Sequence, residues 1–190
     1  MANRETFWIP EVLSPAHYRL AASEAACIGI PGRSAPVGGV TTAAAIHALE
    51  HHTGKSLIWA SSQFLSAAPT DTDFEIHVEI RGCSERRPQA RASLAHEGRA
   101  IVIVSAALGE VEESEECFRV CGSVPRPSEC QHPVVPARVP PDGLLSQFER
   151  RLAFEEESAG RQSLWFRSVD GHATSSGLIA VIADFVAGAH

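Results

Sequence analysis

Four groups of residues in this sequence have types and spacings that could do chemistry. Asp184 closes the run Leu178-Ile-Ala-Val-Ile-Ala-Asp184, and its neighbours at helical spacing are Ala180, Val181, Ala187 and Gly188. A carboxylate beside an apolar stripe is a candidate base; a solvated aspartate at a helix edge is the alternative. Gly38 and Gly39 stand before Val40 at the start of an alanine-rich segment. Glycine lets a ligand approach the free N–H groups of a helix start, where the dipole is positive and can polarise a carbonyl. The steric alternative is that these glycines serve a turn or close packing.

The third group is His47, Glu50, His51 and His52. His47 and His51 are four residues apart, but the order is not His-Glu-x-x-His and no third ligand is evident, so we read solvated helix residues and assign no metal. The cysteine set Cys117, Cys121, Cys130 with His132 matches no standard zinc spacing. The fourth group is Arg81, Arg86, Arg87 and Arg91, clustered near one hairpin, where they either meet a phosphate-bearing ligand or are ordinary surface charge. Leu49 to Ser56 ends like a phosphate-binding loop, but it lacks the first glycine and follows a helix. No Gly-x-Ser-x-Gly elbow occurs, which argues against an α/β-hydrolase route.

These residues need elements to hold them. Val40 to His52 favours a helix, with Gly54 as its C-cap. The period then changes. Ser56 to Leu65 reads as a strand. Phe74, Ile76, Val78 and Ile80 alternate with Glu75, His77, Glu79 and Arg81, the clearest half-buried strand in the chain. Arg87 to His96 alternates again, Glu97-Gly98 turns, and Arg99 to Leu108 is apolar on both faces, which places it inside a sheet. Tyr18 to Ala22 supplies a strand before the helix; residues 1–15 read as an irregular lead-in and Gly29 to Pro36 as a loop. The class is α+β. Residues 1–121 form a first unit, 122–146 a proline-rich linker that should not join a sheet ladder, and 147–190 two strands (Phe148 to Phe154 and Ser163 to Ser168) with a helix from Thr174-Ser175-Ser176.

The formal charge is −7, with one lysine (Lys55) among sixteen basic residues. So acidic a chain is a poor nucleic-acid binder and has no polybasic stretch for a membrane surface. Five scattered cysteines do not make a disulfide framework, and the N-terminus has no apolar signal segment. A soluble cytoplasmic protein in a reducing compartment is the expectation.

Three segments, in this order, carry a resemblance: Val37-Gly-Gly-Val-Thr-Thr-Ala-Ala-Ala-Ile-His-Ala-Leu-Glu-His-His52, Gln63-Phe-Leu-Ser-Ala-Ala-Pro69 and Ile76-His-Val-Glu-Ile-Arg-Gly-Cys-Ser84. With Ser163 to Gly171 and Leu178 to Asp184, they resemble the acyl-CoA thioesterase II family. The resemblance implies a hot-dog fold, a long helix wrapped by an antiparallel sheet, with one unit complete and a second begun. It implies hydrolysis of acyl-CoA to a free acid and CoA, without a cofactor. Asp184 falls where that family has its catalytic aspartate, whose threonine or serine and glutamine partners lie on later strands that have no counterpart here. Gly38, Gly39, Val40 and His47 are the expected substrate-binding residues, His47 standing where the second helix has Asp184. The alternative is a non-catalytic acyl-CoA-binding or scaffold protein. The second helix has an apolar face without strands of its own, so a homo-oligomer is expected.

Overall fold

The computed structural model describes residues 7–30, 33–68, 72–82, 84–110, 124–133, 143–171 and 173–187. Six strands make one antiparallel sheet: β1 (Glu11–Ser14), β2 (His17–Ala21), β5 (Ser56–Phe64), β6 (Asp73–Ile80), β7 (Gln89–His96) and β8 (Arg99–Gly109), ordered β1-β2-β6-β7-β8-β5. Side-chain alternation sets the register. Tyr18 and Leu20 on β2 and Phe74, Ile76 and Val78 on β6 all point to the inner face and are buried. β8, apolar on both faces, lies between β7 and β5 as expected. The Glu97-Gly98 turn has both residues at positive φ (48° and 77°), as a two-residue primed hairpin requires.

α1 (Gly38–Thr53) crosses the inner face of this sheet. Val40, Ala44, Ala45, Ala48 and Leu49 are buried, and the small alanines bring the helix axis close to the sheet. Burying side chains such as Val40 and Leu49 stabilises by about 1.5–3 kcal/mol each. Gly54 ends the helix in the left-handed region (φ 63°) and donates its N–H to the Glu50 carbonyl at 2.8 Å. Sixteen residues make α1 about 24 Å long, so its two ends are separate places in the molecule.

Three segments differ from the sequence expectations. Residues 11–14, expected to be irregular, form β1. All four side chains are exposed, so no hydrophobic alternation marked the strand. Backbone pairing to β2 and the Glu11–Arg19 ion pair (2.6 Å) hold it, across a turn with Ala16 at φ 63°. Within the expected loop 29–36, residues 29–30 and 33–36 belong instead to an antiparallel pair of β3 (Cys27–Ile30) and β4 (Arg33–Pro36). Pro36 pairs at its open end, where a missing N–H is tolerated. The linker does meet a ladder at one non-proline residue: Gln131 bridges Leu152, whose N–H donates to the Gln131 carbonyl at 2.8 Å.

β9 (Phe148–Glu156) and β10 (Arg161–Ser168) form an antiparallel hairpin, and α2 (Ser176–Ala187) follows with Ser175 Oγ accepting the Leu178 N–H at 3.1 Å as its N-cap. α2 packs on α1 through the fully buried Val181. It also makes an aromatic contact: Phe185 meets Phe148 and Phe166 at centroid distances of 5.5 and 5.7 Å. No helix among the described residues is long and apolar enough to cross a membrane.

Candidate active site

The site grows from the crossing of the two helices. α1 and α2 run antiparallel where small residues allow contact. A Cβ on Gly39 would come within 2.7 Å of Asp184 Cβ, 2.8 Å of the Ala180 carbonyl and 3.0 Å of Val181 Cα. One turn along each helix, a Cβ on Gly177 would lie 3.6 Å from Ala43 Cβ. Glycine at 39 is therefore a steric requirement of the crossing, in addition to opening the helix.

This close approach positions Asp184. Its Oδ2 accepts the backbone N–H of Gly39 at 2.8 Å, at the positive end of α1. The carboxylate is half-buried. Among the described residues Oδ1 has no hydrogen-bond partner, and no threonine or glutamine side chain reaches the carboxylate. Helix starts leave orphan N–H groups. Here Val40 and Thr41 donate to the Val37 carbonyl at 3.0 and 3.2 Å, and Gly39 is taken by Asp184. Among the described residues the Gly38 N–H remains unpaired.

The antiparallel return of β5 along α1 supplies the other wall. Phe64 lies against the helix start, its ring atoms 2.8 Å from where a Gly38 Cβ would stand. One helical turn on, the Thr42 and Ser62 hydroxyls meet at 3.0 Å. At the far end Glu50 Oε1 accepts the Leu57 N–H (2.8 Å) and the Ser176 hydroxyl (3.0 Å), tying α1 to β5 and to the start of α2. Phe64, Thr42, Ser62 and the Glu50–Ser176 tie were not singled out from sequence. Ser62 was marked only by its place on the strand after the helix, and Phe64 also by the Gln63 to Pro69 segment; their register against α1 is tertiary.

The other expected residues fall elsewhere. Val40 is fully buried, its side chain in the core beneath α1. His47 lies more than two turns from Gly38, stacked near His51 at 6.4 Å. Burial pushes its imidazole below the ordinary value, His51 adds to this, and Glu50 works in the other direction. His51 Nδ1 lies 3.0 Å from the Tyr18 hydroxyl. Arg86 and Arg87 line a surface pocket with Lys55, Ser84 and Glu110. Of the cysteine set, Cys117 and Cys121 lie outside the described residues, and Cys130 is a buried free thiol.

Residues 30–120 match the model of the acyl-CoA thioesterase N-terminal domain. No curated protein matches the chain in a sequence search. Among solved structures, a protein described as a candidate thioesterase from Novosphingobium aromaticivorans is similar at 27% identity and TM-score 0.87, over 95% of this chain and 73% of its own. A hot-dog protein of unknown function from Alicyclobacillus acidocaldarius aligns at 16% identity and TM-score 0.79, over 94% of this chain and 67% of its own. An acyl-CoA thioesterase II from Mycobacterium marinum aligns at 14% identity and TM-score 0.68, over 94% and 67%. The last two share the fold. Residues 30–120 thus resemble the acyl-CoA thioesterase N-terminal domain, and the α+β fold built around them is a hot-dog fold.

Proposed function

We propose that this chain hydrolyses acyl-CoA thioesters with Asp184 as the general base. The observation that carries the reading is the Gly39 N–H on Asp184 Oδ2, which fixes one carboxylate oxygen and leaves the other for a water. Asp184 Oδ1 takes a proton from that water as its oxygen attacks the thioester carbonyl. The developing oxyanion is met by the free Gly38 N–H and the positive end of α1. On collapse the carbon–sulfur bond breaks, the thiolate takes the proton from Asp184, and carboxylic acid and CoA leave. Val40 and His47 act through the helix, Val40 by anchoring its first turn in the core and His47 from its half-buried face.

The division into a unit at 1–121, a linker at 122–146 and a second unit beginning at 147 is part of this reading. So is a second copy of the chain as partner. β5 is a sheet edge, and it exposes Ile58, Trp59, Phe64 and, just beyond it, Leu65, while Ile179 of α2 is 57% exposed. Unpaired edges with apolar side chains recruit another chain. Cys27 and Cys130 are buried thiols outside any disulfide, which fits a reducing compartment, and we place the reaction in cytoplasmic fatty acid metabolism.

The test is release of free CoA, read with a thiol reagent, when the purified chain is mixed with short, medium and long acyl-CoAs. Release from at least one class is expected. Binding of acyl-CoA without release from any class would favour a non-catalytic acyl-CoA-binding protein.

A further inference from the structure

The outer face of the sheet, away from α1, carries a cluster with no part in the helix-crossing site. β2 and β6 are antiparallel with His17 directly opposite His77, and Glu75 is two residues from His77 on the same face. The two imidazoles stack at 4.2 Å with 13° between their planes. One ligand atom from each of His17, Glu75 and His77 lies within 4.8 Å of the others, and His77 Nε2 is 3.8 Å from Glu75 Oε2. His17 Nε2 is shielded from solvent and has no hydrogen-bond partner. A buried ring nitrogen without a partner is costly, so it is a position with room for a Lewis acid to improve matters.

We propose that His17, Glu75 and His77 bind a divalent transition-metal cation of the zinc class. Two imidazoles and a carboxylate are a borderline-soft donor set that suits zinc and leaves a fourth position for water. Around a tetrahedral ion with bonds of about 2.0–2.1 Å, ligand atoms stand about 3.3–3.4 Å apart. The in-plane lone pairs of the stacked rings run nearly parallel, so binding turns one imidazole about its terminal torsion until both nitrogens converge on the ion. The terminal torsions of histidine and glutamate are broad, which allows that turn. The neighbouring cation does not compete: Arg19, which pairs with Glu75 in the ladder, holds Glu11 at 2.6 Å. The backbone is fixed by the sheet on both sides, so the ion joins β2 to β6 where the sheet has its least covered face.

The experiment uses the full chain without a histidine tag, stripped with a chelator and titrated with Zn2+ by calorimetry. One saturable site per chain is expected, with a rise in melting temperature on adding Zn2+. His17→Ala and His77→Ala should each abolish both effects, and Glu75→Gln should weaken them. All three variants should melt as the wild type does in chelator and keep its thioester-cleaving activity. His51→Ala, which disrupts the other histidine pair, should bind Zn2+ normally. Absence of a saturable site, binding that survives His17→Ala and His77→Ala, or binding lost in His51→Ala would each overturn the assignment.

Discussion

The backbone N–H of Gly39 and the carboxylate of Asp184 meet at 2.8 Å, although 145 residues separate them in the chain. The contact requires that nothing larger than hydrogen stand at position 39, because Asp184 Cβ and the Ala180 carbonyl occupy the space of a side chain. Fold and chemistry therefore depend on the same atom-scale fit between α1 and α2.

Gly39→Ala tests that fit. The methyl would have to displace backbone of α2, and overpacking of this kind costs about 1–3 kcal/mol. For a chain of this size each kcal/mol lowers the melting temperature by about 2–4 °C. Differential scanning calorimetry should show the drop. An unchanged melting temperature would mean that the helices are not packed this closely.

Glu50 joins three elements through one oxygen, which accepts from Leu57 N–H and from the Ser176 hydroxyl. Glu50→Ala leaves both donors without their acceptor and should cost about 1.5–3 kcal/mol, read from the denaturant midpoint. Glu50→Gln keeps an acceptor oxygen and should recover part of the loss. Equal stability of the alanine variant and the wild type would remove the tie from the structure.

His47 gives the fold a pH dependence with a definite sign. Its folded-state value lies below 6.5 because of burial first and of His51 second, against the opposing pull of Glu50. Above pH 6.5 the group is neutral in both states and the stability it permits is fully present. As pH falls below that value the unfolded chain takes up a proton that folded His47 refuses, so stability declines until the folded value is passed. Urea midpoints between pH 5 and pH 8, on the order of one unit apart, should show a shallower acid decline for His47→Gln than for wild type. Parallel curves would remove His47 as the source.

Trp59 is 55% exposed on the free edge β5. Trp59→Arg places a charge on that edge, which opposes strand pairing. Sedimentation velocity should show the wild type associating with rising concentration and the variant remaining monomeric. A wild type that stays monomeric at all concentrations would contradict pairing of two copies there.

What the sequence disclosed follows from periodicity and range. β6 and β8 were legible because their apolar residues alternate or run continuously, and α1 because alanines, a helix-opening glycine pair and Gly54 mark its length. β1 was not legible, since every one of its side chains is exposed and only backbone pairing defines it. Within the site, Asp184 stood out as a carboxylate in an apolar helix, and Gly38-Gly39 as a helix start. That Gly39 holds Asp184, or that Phe64 covers Gly38, depends on a helix crossing and a strand register that no local pattern encodes. Glu50 and Ser176, 126 residues apart, illustrate the same limit.

The most direct measurement is steady-state hydrolysis by Asp184→Asn beside wild type, on an acyl-CoA that the wild type cleaves. Asparagine still offers an oxygen to the Gly39 N–H but cannot accept the proton of a water. A general base contributes about 100- to 10,000-fold, so kcat should fall by that order while the melting temperature moves little. A variant that folds like the wild type and turns over at the wild-type rate would contradict Asp184 as the base.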